Sequence, residues 1–307
     1  MLALCALASL HSLVPARTTR RSNQRIKMAI HTRPREFDAT QALENSSAVS
    51  DGLHRHGIVR VNGALSPRTA SSALSYVNTA LEEALGEQSM LLEPGDAFVQ
   101  RFGKVLSRES SCGTTRRHDL KLSLDEPVVR AAVDELLSAI GPALRTSLGD
   151  DAVLYELAAL ISDPGAPCQP FHPDTRFIDG QGVAVLTAFV ALQLIDESMG
   201  PTTFLPSSHC EADHSTFNLK GDGGEEAFLA MLRSRCTYRG MLASGDATLF
   251  DSRVLHCGGA NTSPRRRVLF YASFRAREAK APPGTLLYDL RERHSLSEWL
   301  VDVDVQN

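Results

Sequence analysis

The chain of 307 residues contains no apolar run as long as the roughly 18 residues that a membrane-spanning helix needs. It also has no excess of positive charge. The formal net charge is −4, with no basic stripe, which argues against a nucleic-acid-binding protein. No internal repeat is evident, so a solenoid or propeller is not expected. The cysteines are scattered at Cys5, Cys112, Cys168, Cys210, Cys236 and Cys257, without close pairing; free, buried thiols are expected rather than a disulfide framework. What the chain does have is apolar substance, 43% of residues, enough for the core of one sizeable domain, expected over residues 34–307.

The first part of the chain differs from the rest. Residues 1–16 are apolar, residues 17–27 are rich in Arg and Ser, and no acidic residue precedes Glu36. An apolar stretch followed by a basic, acid-poor one has the composition of a targeting segment. Residues 1–33 are therefore expected to lie outside the fold. Import into a mitochondrion or plastid is the reading taken, with a disordered tail on a cytoplasmic protein as the alternative.

Beyond it, helices come before a block of strands. Residues 46–55 have helical character and lead into a strand at 57–61. Ser66 and Pro67 open a second helix as N-cap and first helical residue, with Ala70, Ala73, Leu74, Val77, Leu81 and Leu85 at helical spacing. A third helix starts at Pro127, its buried side carried by Val128, Val129, Ala132, Leu136, Leu137, Ile140 and Leu144. Residues 98–102 and 152–162 are expected as strands, and 183–195 as a core strand buried on both faces. Further strands are expected over 201–206, 238–242 and 267–274. Residues 211–226 are polar and Gly-containing, and are expected to form a mobile lid, with a short helix over 225–233. The order suggests an α+β arrangement with helices packed on one side of a β-sandwich.

The most informative local feature is His172-Pro173-Asp174. Side chains two apart on an extended strand share a face, so both groups can reach one ion. Downstream, His256 stands at a strand end. Two imidazoles and one carboxylate leave three positions open on a six-coordinate metal, the ligand set of non-haem Fe(II) oxygenases. Arg267 stands eleven positions after His256, at the head of an apolar strand, where a guanidinium can clamp a carboxylate with two hydrogen bonds. Arg265 and Arg266 compete for that role but read as a solvated face.

Four segments carry a family resemblance: His172-Pro173-Asp174, residues 196–209, residues 245–251, and His256 through Arg267. With a first strand at 57–63, the chain resembles the phytanoyl-CoA dioxygenase family from about residue 50 to about residue 275. One departure is Ser207 in Pro206-Ser207-Ser208-His209, where members often carry Gly. The resemblance implies a double-stranded β-helix, a cupin-like jelly roll, with Fe(II) at its mouth. It implies 2-oxoglutarate and dioxygen as co-substrates, with ascorbate as a candidate auxiliary reductant. The implied reaction hydroxylates a small or lipid-like organic substrate and releases succinate and carbon dioxide. His172, Asp174 and His256 would be the catalytic metal ligands and Arg267 the anchor of 2-oxoglutarate. Phe189, Thr187 and Lys121 are weaker candidates for cofactor contact, each with an ordinary core or surface role as its alternative. Asp174 also argues against a halogenase, whose relatives carry Ala or Gly there. A monomer is expected. A jelly-roll binding protein without catalysis, and a cupin metalloenzyme that does not use 2-oxoglutarate, stay open at this point.

Deleting residues 1–33 is expected to leave a soluble, metal-binding protein with an unchanged melting temperature. Aggregation or a much lower melting temperature would show that the segment packs on the domain.

Overall fold

The computed structural model describes residues 46–88, 98–99, 105–109, 115–221, 223–280 and 294–300. Residues 1–33, and all but Phe98 and Val99 of the strand expected over 98–102, lie outside them. Helix α1 (Ser46–His56) leads into β1 (Ile58–Val61), and α2 (Pro67–Gln88) follows. Strands β2 (Phe98–Val99), β3 (Val105–Glu109) and β4 (Thr115–Lys121) precede α3 (Pro127–Leu148) and β5 (Val153–Ser162). Then come β6 (Val185–Ala191), β7 (Thr202–Phe204), α4 (Glu211–Asn218), α5 (Glu225–Ser234) and β8 (Tyr238–Arg239). The last elements are β9 (Ala247–Asp251), β10 (His256–Gly258), β11 (Arg267–Arg275) and α6 (Leu296–Leu300).

The strands form two antiparallel sheets. The larger runs β1-β9-β6-β11-β5-β4-β3-β2 and the smaller β10-β7-β8. They make the jelly-roll core expected from the sequence, and among the described residues they do not close into a barrel. Strand β6 is buried on both faces, and its side chains split by parity. Leu186, Ala188 and Val190 join the helix-side core, whereas Phe189 and Ala191 point between the sheets. Strand β11 does the same. Val268, Phe270, Ala272 and Phe274 face the helices, and Leu269 and Tyr271 face inward. Both strands are too apolar for one half-solvated face, which is why they sit in the middle of the large sheet.

Helices α1, α2 and α3 supply the other half of the helix-side core. Ala70, Ala73, Val77 and Leu81 of α2 are buried there, as are Val129, Ala132, Leu136, Leu137, Ile140 and Leu144 of α3. Fully burying each large aliphatic side chain contributes about 1.5–3 kcal/mol. Residues expected as a mobile lid form α4, a short 3-10 turn at Leu219–Gly221 and the start of α5. Their apolar positions Phe217, Phe228 and Leu232 pack on Phe171, Leu205 and Leu255 near the small sheet. Asp213 of α4 is paired with Arg235 at 2.7 Å. The lid reading counted Gly and acidic residues and missed this apolar spacing. His214 is buried; it donates from Nε2 to the Arg253 carbonyl and accepts from Phe177 N at Nδ1. Burial there lowers its pKa. Among the described residues no helix is long and apolar enough to cross a membrane.

Ser207 is the one non-glycine residue with positive φ among the described residues, at 62°. It is the position at which the resembling family often carries Gly. Here the strain is offset locally: Ser207 N donates to the His56 carbonyl and its hydroxyl to the Arg55 carbonyl, capping α1. Ser207→Gly is therefore expected to change stability by less than about 1 kcal/mol, relieving strain and losing one cap bond. Ser207→Val should cost about 1–3 kcal/mol, because a β-branched residue does not tolerate this conformation. Denaturant titration of both variants checks the pair.

Candidate active site

Three side chains converge where the two sheets open. Pro173 keeps its neighbours extended, so His172 can pair with the small sheet. His172 N donates to the His256 carbonyl at 2.9 Å, and His256 N donates back to the His172 carbonyl at 2.9 Å. Asp174 N and Thr175 N both donate to the Ser252 carbonyl, and the hydroxyls of Thr175 and Ser252 are 2.7 Å apart. His172 and Asp174 are thus fixed on one side of a gap whose other side is His256.

The ring orientations follow from the outer nitrogens. His172 Nδ1 lies 2.9 Å from the Pro170 carbonyl, and His256 Nδ1 lies 2.9 Å from the Val254 carbonyl. A carbonyl only accepts, so each Nδ1 carries the hydrogen and each Nε2 presents a lone pair. These lone pairs face Asp174: its Oδ1 is 3.9 Å from His172 Nε2 and 3.7 Å from His256 Nε2. One donor atom from each of the three residues falls within 4.8 Å of the other two. Fixing the tautomer through the outer nitrogen is the usual way proteins prepare imidazole for a metal.

The cavity beside this cluster has a volume of about 860 Å³ including its open mouth. Its lining mixes apolar and aromatic side chains, Leu160, Phe189 and Tyr271, with polar ones, Asp119, Glu156, Thr187, Ser252 and Ser273. Phe189 and Thr187, both candidates from the sequence, line it. Thr187 shares a 2.9 Å hydrogen bond with Ser273. Lys121 does not line the cavity; it pairs with Ala158 on β4, and partial burial lowers its pKa.

Arg267 heads β11 and is completely buried. It donates from Nη1 to the Gly200 carbonyl, and from Nη2 to Ser162 Oγ at 3.1 Å. Gly200 adopts φ of 68° in a spot where a Cβ would strike the Gly259 and Ala260 carbonyls, so only glycine can present that carbonyl. The Arg267 Nε–H has no partner. No carboxylate pairs with Arg267 among the described residues. Its burial and the charge of Arg117 push its pKa down to about 9. Its two rivals are engaged elsewhere: Arg265 with Asp196 at 2.7 Å, and Arg266 with Asp163 at 2.6 Å and Glu82 at 2.8 Å.

From residues 117–121 the sequence reading chose Lys121 and gave no role to Arg117 or Ser162. Cross-strand register puts Arg117 opposite Ser162, and Ser162 opposite Arg267, in one row across the large sheet. The inward alternation of β4, β5 and β11 was a usable signal, but the alignment of the three strands was not in the sequence.

These features have known counterparts. Residues 53–269 match the family model of phytanoyl-CoA dioxygenase (PhyH). The chain belongs to this family. It is accordingly an oxidoreductase of the Fe(II)- and 2-oxoglutarate-dependent oxygenase class. Among solved structures it is similar to SnoK, a non-haem α-ketoglutarate-dependent carbocyclase of nogalamycin biosynthesis. The TM-score is 0.57 at 18% identity, over 80% of this chain and 90% of that one. It is similar also to the epimerase SnoN in complex with Fe3+, α-ketoglutarate and nogalamycin RO, with TM-score 0.55, 18% identity, and coverage of 78% and 87%. A third is AviO1 from Streptomyces viridochromogenes Tue57, with TM-score 0.53, 16% identity, and coverage of 79% and 100%. At these identities the likeness is one of fold. No curated protein sequence matches the chain.

The three clustered residues differ in how much fold they carry. His172 and Asp174 are 35% and 41% exposed in their side chains, and His256 only 5%. The His256 ring stacks on Phe204 at 5.6 Å and meets Phe250 edge-on at 5.3 Å. His256→Ala is therefore expected to lower stability by about 2–4 kcal/mol, as for other large-to-small core changes. His172→Ala and Asp174→Ala should cost less than about 1 kcal/mol. Denaturant titration of the three metal-free variants checks the contrast, and equal effects would contradict it.

Proposed function

We propose that this member of the family hydroxylates a small organic molecule, with Fe(II) held by His172, Asp174 and His256 and 2-oxoglutarate anchored by Arg267. The observation that carries the reading is the matched pair of Nδ1–carbonyl bonds, which turns both imidazole Nε2 atoms toward Asp174 Oδ1. The donor set fits the metal: two neutral nitrogens and one carboxylate oxygen suit Fe(II) with open positions better than a closed structural zinc. The anchor fits as well. A guanidinium has five donors, of which Arg267 uses two on protein acceptors, and its buried Nε–H calls for an anion.

When bound, iron and 2-oxoglutarate supply oxidative decarboxylation, giving succinate, carbon dioxide and an oxidised substrate. The chain's own residues do the rest. Asp174 occupies the position that a halide would need in a halogenase, which supports hydroxylation. Phe189, Leu160 and Tyr271 give the lining its apolar part. The hydroxyls and carboxylates among the lining residues suit a small substrate with polar groups more than a long acyl chain. The N-terminal composition supports import into an organelle.

Anaerobic addition of Fe(II) and then 2-oxoglutarate should give the visible charge-transfer band of the chelate. Asp174→Ala and His172→Ala should abolish it. Arg267→Ala should weaken 2-oxoglutarate binding by an amount in keeping with losing a buried charged pair, about 2–5 kcal/mol, while Fe(II) binding stays near normal. A silent Arg267→Ala would favour a metalloenzyme that does not use 2-oxoglutarate.

A further inference from the structure

Residues 251–254 form one turn that holds both sides of the metal-binding cluster. Val254 N donates to the Asp251 carbonyl at 2.8 Å, which closes the turn. Three consecutive carbonyls then leave it toward different partners. That of Ser252 accepts from Asp174 N at 2.9 Å and Thr175 N at 3.0 Å. That of Arg253 accepts from His214 Nε2 at 2.8 Å. That of Val254 accepts from His256 Nδ1 at 2.9 Å. Asp174 and His256 stand on opposite sides of the gap, so the conformation of these four residues sets how they face each other.

Inside the turn lies a buried ion pair. Asp251 is 1% exposed and Arg253 7%. Asp251 Oδ2 accepts from Arg253 Nη2 at 2.6 Å and from Nε at 3.1 Å. Asp251 Oδ1 accepts from Arg253 Nε at 3.0 Å and from Arg253 N at 2.9 Å. An Asp side chain that bonds the main chain two residues on fixes a turn. Arg253 Nη1 also reaches the Gln181 carbonyl at 3.5 Å, and its guanidinium lies 6.0 Å from the Phe177 ring. Stability is a poor reason for such a pair. Partners two residues apart close no long loop, and the desolvation of two charges offsets much of their attraction. What the pair does fix is one conformation of the turn from which the ligands are held.

We propose that the buried Asp251–Arg253 pair is a positioning device for the metal centre. It holds the turn in the conformation that leaves Asp174 Oδ1 3.7 Å from His256 Nε2. Neither residue is a ligand; both act through the Ser252 and Val254 carbonyls. The inference rests on the reading of His172, Asp174 and His256 as Fe(II) ligands and adds what keeps two of them aligned. It also gives α4 a part in the site, because His214 takes up the third carbonyl of the same turn.

The test uses the metal alone, without turnover. Fe(II) affinity is measured anaerobically by competition with a chromophoric chelator, and the visible spectrum of the Co(II)-loaded protein reports ligand geometry. The double variant Asp251→Leu with Arg253→Met leaves no charge buried and unpaired, so its metal-free stability in denaturant should stay near that of the wild type. Its Fe(II) affinity should fall about tenfold or more, as for lost outer support of metal ligands, and its Co(II) spectrum should shift. Arg253→Lys keeps the charge without the planar fork and should show a smaller loss. Leu81→Ala, in the helix-side core, is the control; it should lose stability and keep wild-type metal binding. A double variant with wild-type affinity and spectrum would overturn the proposal. So would a loss of affinity that Leu81→Ala reproduces, because the pair would then be merely structural. If the double variant does not fold, Arg253→Lys decides by the same two comparisons. Failure of the underlying reading looks different: the wild-type protein would then bind Fe(II) no more tightly than His172→Ala does.

Discussion

Everything at the site depends on one pair of backbone hydrogen bonds, those exchanged between His172 and His256. They join two segments far apart in sequence into an extension of the small sheet. Because the bonded residues are themselves the two histidines, the main chain sets the spacing of the imidazoles. The side chains need only the correct ring rotation, and the Pro170 and Val254 carbonyls supply it. Asp174 is positioned by the same logic, its N–H tied to Ser252. A metal site built on strand pairing is stiffer than one built on loops, which is what a reaction needing fixed open positions requires.

The second constraint is charge. Arg267 is wholly buried at the head of β11, on the inward side that Leu269 and Tyr271 continue. A domain core tolerates such a group only when its donors are used. The row Arg117, Ser162, Arg267 crosses three neighbouring strands. The next inward positions along β11, Leu269, Tyr271 and Ser273, pass from apolar to polar, and Tyr271 and Ser273 line the cavity.

Much of this could be read from the chain. Helical spacing in α2 and α3, the doubly buried β6 and the turn chemistry around Ser66 and Pro67 are local signals, and local signals survive without a structure. The clustering of His172, Asp174 and His256 was legible too, although the strand expected at 172–174 is an isolated bridge at His172 followed by a bend at Asp174. The misreadings have a common cause. Residues 211–226 contain many polar groups, but Phe217 packs with Phe171 and Leu205, and Asp213 pairs with Arg235. His214 was indistinguishable from a surface histidine until the Arg253 carbonyl faced it. Arg117 and Ser162 depend on the register of β4, β5 and β11, which no single segment encodes.

The pairing of His172 with His256 has a consequence for how the protein reaches its working state. Contacts between distant segments form only after a long loop has closed, so this corner of the jelly roll belongs to the late, slow part of folding. A metal held by these three residues has no site on the unfolded chain and binds only the finished structure, so its binding energy adds to the stability of the native state. Iron supply and the yield of folded protein are then linked by mass action: a metal that binds only the native fold lowers the equilibrium population exposed to proteolysis.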